Sequence, residues 1–144
     1  MARQYKEVGL NEQGGKDLNY ITENSEYLKL KGDGGFLTRA DIYRIAVSIA
    51  ISKDLSVPDD VGTIGSSEKR PNGRSWKISD IDKSEKSNQG SKENRSLENM
   101  VKTLCAHPSA KDETWGYIER LAHAGMADLR KQVKSQKLLS EILS

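Results

Sequence analysis

Cysteine is nearly absent from this chain, which holds one, Cys105, in 144 residues. A single cysteine excludes an internal disulfide framework and fits a protein of a reducing compartment. Together with His107 and His123 it makes up the whole set of soft metal ligands. Structural zinc sites take four ligands, usually in paired short spacings, so we expect no metal and no cofactor. We also expect both histidines to be exposed, with His123 one turn from Glu119 on a solvated helix face.

Net charge and long apolar runs are lacking as well. The 23 basic and 21 acidic residues nearly cancel to a formal charge of +2, which by itself does not indicate nucleic-acid binding. The longest apolar stretch, residues 45–51, is interrupted by Ser48 and is far shorter than the ~20 residues of a membrane span. Residues 1–16 contain no apolar segment of signal-peptide length. We therefore expect a cytoplasmic protein with no membrane contact.

The strongest positive signal is a helix over Phe36–Ile51. Thr38 is a good N-cap, and Asp41 at the third helical position makes a short variant of the capping box. At 100° per residue one broad face is apolar. That face carries Ile42, Tyr43, Ile45, Ala46, Ile49 and Ala50. A helix with so narrow a polar stripe is predicted to be the central one of a bundle.

Helical periodicity recurs in the second half of the chain, where Gly125 reads as the residue that ends a helix. With the central helix included, the predicted helices lie near 39–53, 96–106, 112–124 and 127–143. The fold class that follows is mainly α, a compact bundle of about four to five helices around a central apolar helix, with a small β-hairpin arm.

The predicted organisation is one domain, as its length suggests. Residues 1–16 are polar and contain glycine, so we expect a flexible N-terminal arm, followed by a single helical domain over 17–144. An Asn-Gly turn predicts the β-hairpin arm around 67–79. The run 83–95 holds no side chain that would be buried, which predicts a disordered loop.

Basic residues cluster around one aromatic side chain within the predicted hairpin. The cluster consists of Lys69, Arg70, Arg74, Trp76 and Lys77. Lysine and arginine attract phosphates, and an aromatic ring stacks on a base, so the cluster is a candidate nucleic-acid site. The alternative is an ordinary surface loop in a chain rich in basic residues, with its field weakened by nearby carboxylates such as Glu68 and Asp80.

The C-terminal turns carry more apolar side chains than one helix face holds. These are Leu138, Leu139, Ile142 and Leu143. A terminal helix that does not bury all of them against its own domain tends to dock on another chain. The alternative is fraying, or a wide groove in the same domain.

Three strings together resemble a known group of proteins. They are residues 33–36 running into 40–51, then 78–82, and then 117–125 leading to Leu129. The chain resembles small accessory proteins encoded beside bacterial anti-phage systems, including those associated with DNA phosphorothioation. The resemblance covers residues 32–130 with gaps. It implies a non-catalytic subunit beside a larger nuclease, ATPase or DNA-modifying component, and it supplies no catalytic motif.

Three functional hypotheses follow. The first is a non-enzymatic adaptor or accessory subunit of a defence complex, which binds a larger protein component, or itself, through the C-terminal helix. The second is a module that binds DNA or RNA through the basic hairpin. The third is a small enzyme that uses Cys105 and a histidine, although residues so close near a helix end rarely face each other.

Overall fold

The computed structural model describes residues 7–32, 34–62, 73–82, 85–86, 93–94 and 96–143. These residues form the helices α1 (Glu12–Asn24), α2 (Arg39–Ser52), α3 (Ile78–Ile81), α4 (Ser96–Leu104), α5 (Ser109–Asp112) and α6 (Thr114–Leu143). The strands are β1 (Glu7–Leu10), β2 (Arg74–Lys77), β3 (Glu85–Lys86) and β4 (Glu93–Asn94), paired as two antiparallel two-stranded sheets. The predicted fold class, a mainly α-helical bundle with a small antiparallel β element, is confirmed.

Helix α2 begins with the predicted capping box. The Asp41 N–H donates to Oγ1 of Thr38 at 3.1 Å, and the Thr38 N–H donates to the Asp41 carboxylate at 2.8 Å. The bond from Thr38 is the main reason that the pKa of Asp41 is lowered. The buried face of the helix consists of Ile42, Tyr43, Ala46, Val47 and Ala50. This face packs against α6.

Helix α6 is one continuous helix of 30 residues, which corrects the two helices predicted on either side of Gly125. A Cβ at Gly125 would lie 1.9 Å from the carbonyl oxygen of Ala46 in α2. Glycine is therefore required by the close crossing of two helices and does not mark a helix end. Helix α6 also packs against α1, α4, α5 and β1, so it shares the centre of the bundle with α2.

The N-terminal residues correct the expectation of a flexible arm over 1–16. Strand β1 pairs antiparallel with β2, with Val8 opposite Trp76. Val8 and Leu10 are fully buried, and α1 begins directly after Asn11, whose side chain caps it. The strand has too few large apolar residues to be recognised from sequence alone. Its pairing partner is more than sixty residues away, so no local pattern reveals the pairing either. Residues 1–6 lie outside the described residues.

The predicted hairpin over 67–79 falls partly on residues outside the described ranges. Its second half is β2, and the described partner of β2 is β1 rather than a neighbouring strand across the Asn-Gly turn. The two-stranded hairpin of the described chain is β3 paired with β4. These strands lie within the run 83–95, for which the sequence predicts a disordered loop. The other residues of that run, 83–84, 87–92 and 95, lie outside the described residues. The run can pair because strand pairing uses backbone groups and does not require apolar side chains.

Two polar side chains of α6 bind the backbone of β1 and the residue after it. Oε2 of Glu119 accepts the Gly9 N–H at 3.0 Å, and Nε2 of His123 accepts the Asn11 N–H at 3.0 Å. Nδ1 of His123 lies 2.6 Å from the Glu119 carbonyl oxygen, which places the ring proton on Nδ1. The two side chains are 5% and 9% exposed, so the expectation of a solvated His123 is wrong. The N-terminal strand packs over this face of α6 and shields it from water.

A buried carboxylate joins α3 to α4. Asp82 follows α3 and accepts the N–H groups of Leu97 at 3.1 Å and Glu98 at 3.0 Å, the first turn of α4. It therefore caps a helix that begins fourteen residues further along the chain.

Candidate functional site

A cleft of about 790 Å³ opens at the N-terminal end of α2. Its cationic lining consists of Lys31, Arg39, Arg44 and Arg74, and its carboxylates are Asp41 and Asp80. Leu30, Leu37 and Trp76 form the apolar part of its wall. The cleft thus places a surplus of positive charge beside apolar surface.

Arg39 and Arg74 reach the cleft from two distant parts of the chain. Arg39 is the first residue of α2, directly after its N-cap. Arg74 is the first residue of β2, where alternation makes Arg74 and Trp76 half-buried while Ser75 and Lys77 are exposed. The β1–β2 pairing holds this strand against the bundle, and only that placement brings the two guanidinium groups to one cleft.

The two arginines are incompletely satisfied. The Nε atoms of Arg39 and Arg74 are both buried, and neither has a hydrogen-bond partner among the residues that the structure describes. The pKa of Arg74 is lowered, first because burial desolvates the guanidinium and second because the like charge of Arg39 is near. The fold therefore holds two cations together in the cleft without a described counter-ion between them.

Arg44, in contrast, already has partners. Its Nη1 donates to the carbonyl oxygens of Asp80 at 3.0 Å and Ile81 at 2.9 Å, and it forms an ion pair with Asp41. Since Asp41 also accepts the Thr38 N–H, that carboxylate is engaged on both oxygens. The bonds from Arg44 to the two carbonyl oxygens hold α3 against α2, and the ion pair with Asp41 leaves little net charge in the cleft.

The first turn of α2 adds backbone donors to the same place. The N–H groups of the first helical residues have no intrahelical carbonyl to bind, and the helix dipole gives this end a partial positive charge. The capping box supplies a partner for the Asp41 N–H. Arg39 and Ala40, which precede Asp41 in the first turn, both line the cleft.

The predicted nucleic-acid residues do not all come together. Arg74 and Trp76 line the cleft, and the Trp76 ring packs against Tyr43 with centroids 5.2 Å apart. Lys77 lies on the opposite, exposed face of β2. Lys69 and Arg70 lie outside the described residues. Sequence reasoning missed Arg39, since it is far from Arg74 in the chain and no local pattern joins them.

The four C-terminal apolar residues are exposed. The exposed fractions are 59% for Leu138, 56% for Leu139, 71% for Ile142 and 77% for Leu143. Val133 is the last buried residue of α6, and every residue from 134 to 143 is exposed. The final turns of the helix therefore extend beyond the core and present apolar side chains at positions i, i+1, i+4 and i+5.

The helix surface before these turns is basic. Lys131, Lys134 and Lys137 follow one another at intervals of three, and each is exposed. Nζ of Lys137 donates to Oδ1 of Asn24 at 2.7 Å, which ties this part of α6 to the end of α1. A partner that binds the apolar turns would therefore also contact lysine side chains at the edge of the patch.

Cys105 and the two histidines have separate surroundings. Burial, and to a lesser degree Asp54, raises the pKa of the Cys105 thiol, whereas nucleophilic cysteines need a lowered one. The His107 ring stacks on Tyr117, and His123 accepts the N–H of Asn11, the residue directly after β1. Among the described residues, no group of three or more His, Cys, Asp or Glu side chains is placed to hold a metal ion.

Comparison with known proteins finds no match among family models, curated proteins or solved structures. None of the helices in the described ranges, α6 included, combines the length and apolarity needed to cross a membrane.

Proposed function

We propose that this protein is a non-enzymatic adaptor that binds a larger protein through the C-terminal turns of α6. The observation that carries the proposal is the exposure of Leu138, Leu139, Ile142 and Leu143, each more than half accessible on a part of the helix that leaves the core. Together they present an apolar patch of roughly a few hundred Å², the size at which exposed apolar surface begins to indicate an interface.

The mode of binding is a helix in a groove. In that mode an amphipathic helix places apolar anchors one turn apart into a hydrophobic groove. The pairs Leu138–Ile142 and Leu139–Leu143 have this spacing of four residues. Because Lys131, Lys134 and Lys137 precede the patch, the complementary surface is an apolar groove with acidic residues at its margin.

The partner we propose is the larger component of a cytoplasmic bacterial anti-phage assembly. This part of the proposal rests on the resemblance of residues 32–130 to accessory proteins of such systems. Self-association through the same turns is the competing occupant, and light scattering after size-exclusion chromatography separates the two cases.

The test is a charge substitution inside the patch, Leu138→Asp with Ile142→Asp. The matched control, Ser135→Asp with Ser140→Asp, adds the same charge at exposed positions of the same segment without removing apolar surface. We expect the first pair to abolish co-purification with the product of a neighbouring gene and the control to retain it. Retention by both pairs would exclude this interface.

A second function, nucleic-acid binding by Lys69, Arg70, Arg74, Trp76 and Lys77, is supported by the placement of Arg74 and Trp76 beside Arg39. The logarithm of the binding constant for a short duplex should fall linearly with the logarithm of the salt concentration. The double change Arg70→Ala with Arg74→Ala should reduce the slope of that line by about two. Binding that does not depend on salt would count against it.

A further inference from the structure

We propose that the cleft at the N-terminal end of α2 binds a single oxyanion, with phosphate as the ligand chemistry, between the guanidinium groups of Arg39 and Arg74. This site lies on another part of the molecule than the C-terminal turns of α6, so it does not depend on the adaptor function. Failure of one proposal leaves the other intact.

The first reason is the unbalanced pair of arginines. Both Nε atoms are buried without a partner among the described residues, and the two cations share one cleft. A group with two negative charges between them would replace a repulsion by two attractions. The planar guanidinium fork matches the spacing of phosphate oxygens, which makes arginine well suited to hold such a group.

The second reason is the helix end that borders the same cleft. The first-turn N–H groups of Arg39 and Ala40 and the positive end of the α2 dipole add to the field of the arginines. The cleft therefore combines the charge of the two arginines with the positive end of a helix.

The two carboxylates of the cleft determine how much of its positive charge is available to an anion. Asp41 is engaged by Thr38 and Arg44, so its charge is largely compensated. Asp80 is exposed, and its backbone carbonyl rather than its carboxylate binds Arg44. Asp80 is thus the group that weakens anion binding, and Asp80→Asn should strengthen it.

The volume of the cleft leaves room for more than a phosphate. Leu30, Leu37 and Trp76 provide an apolar wall beside the arginines. The ligand class is therefore a phosphate ester with an apolar or aromatic organic part, either a small molecule or the terminal phosphate of a nucleic-acid strand.

The experiment is a titration of the full chain with inorganic phosphate, with sodium chloride adjusted to hold the ionic strength constant. We expect phosphate to raise the midpoint of thermal unfolding, since a ligand that binds only the folded state stabilises it. Arg39→Gln and Arg74→Gln should each weaken binding by roughly tenfold or more, the value of a charge-assisted hydrogen bond. Lys111→Gln is the matched control, because it removes the same charge from an exposed position of α5 that does not line the cleft.

A second readout separates binding from a structural role. Without phosphate, Arg39→Gln should unfold at the same temperature as the unaltered protein or higher, because it relieves like-charge repulsion. A clear loss of thermal stability in that variant would overturn the proposal, as would an unaltered protein that does not respond to phosphate. Equal weakening in Lys111→Gln would show that binding responds only to the net charge of the protein, and it would overturn the proposal too.

The source of the phosphate is resolved with two short single strands of DNA, one with a 5′-phosphate and one without. Binding that requires the 5′-phosphate, and that Arg39→Gln removes, supports a terminal phosphate ester. Binding of inorganic phosphate alone supports a small-molecule ester. Equal binding of both strands would assign the cleft to backbone phosphodiesters and overturn the single-oxyanion proposal.

Discussion

His123 is a buried imidazole whose hydrogen-bonding role depends on its remaining neutral. Its Nε2 accepts the Asn11 N–H, so a proton on that nitrogen would remove the acceptor and bury a charge. Burial is the main cause that lowers the pKa of His123, and the bond to the Glu119 carbonyl and the charge of Asp17 oppose it. The stability of the contact between β1 and α6 is therefore linked to pH.

The free energy of unfolding should decrease as the pH falls below 6.5, the ordinary histidine value. Below it the unfolded chain binds more protons than the folded one, whose pKa at His123 is lowered. The stabilising contribution of His123 is complete at pH values above its pKa in the unfolded chain. It decreases as the pH falls, and the decrease stops once the pH is below its pKa in the folded protein. Urea unfolding between about pH 8 and about pH 5 measures it.

Two variants identify the histidine responsible. His107→Gln removes an exposed ring and should keep the pH dependence. His123→Gln retains an acceptor near Asn11 but does not titrate, so its stability should be nearly constant across this range. An unchanged pH dependence in His123→Gln would assign the effect to another group.

Among the elements, α4 depends on a carboxylate that is distant in sequence. Its first-turn N–H groups, from Leu97 and Glu98, bind the buried side chain of Asp82. The last turn of α3 places Asp82, since the Asp82 N–H donates to the carbonyl of Ile78 at 2.8 Å. The helix is short, with nine residues, and helices of that length are only marginally stable alone.

Asp82→Ala should lower the free energy of unfolding by about 1–3 kcal/mol, because two N–H groups of α4 lose their partner. The free energy of unfolding of Asp82→Asn should lie between those of the unaltered protein and Asp82→Ala, since the amide has one acceptor oxygen for two N–H donors. Asp80→Ala, at an exposed position of α3, is the control and should change stability by less than about 0.5 kcal/mol. Chemical denaturation at neutral pH compares them, and equal losses at both positions would contradict the capping role.

In the whole molecule, α6 joins a packed bundle to a projecting end. Up to Val133 the helix is part of the core with α1, α2, α4 and β1, and beyond it every described residue is exposed. The bundle supports the cleft at α2, while the projecting end supports the adaptor surface. Stability and partner binding are therefore carried by different parts of one helix.

Removal of residues 135–144 should change the free energy of unfolding by less than about 1 kcal/mol, because the segment adds little buried surface. Among the contacts that the shortened chain loses is the exposed bond from Lys137 to Asn24. The shortened chain should no longer bind the adaptor's partner, yet it should respond to phosphate as the full chain does. A large loss of stability would show that these turns serve the fold.

The sequence by itself determined the features that depend on near neighbours. The capping box of Thr38 and Asp41 and the apolar face of α2 follow from spacings of three and four residues. The surplus apolar side chains of the C-terminal turns were likewise visible, and the structure places them in solvent. These features depend only on residues close together in the sequence, so they can be predicted without knowledge of the rest of the fold.

Only the tertiary structure decided which distant residues meet. Gly125 read as a helix end because glycine is common there, but the crossing with Ala46 gives it a different role. The sequence predicts His123 in water, but Asn11 and Gly14 at the start of α1 lie against it. The pair Arg39 and Arg74 has no signature in sequence, since their common cleft exists only once β2 is packed against the bundle. Long-range packing selects these contacts, and hydrophobic periodicity carries no information about them.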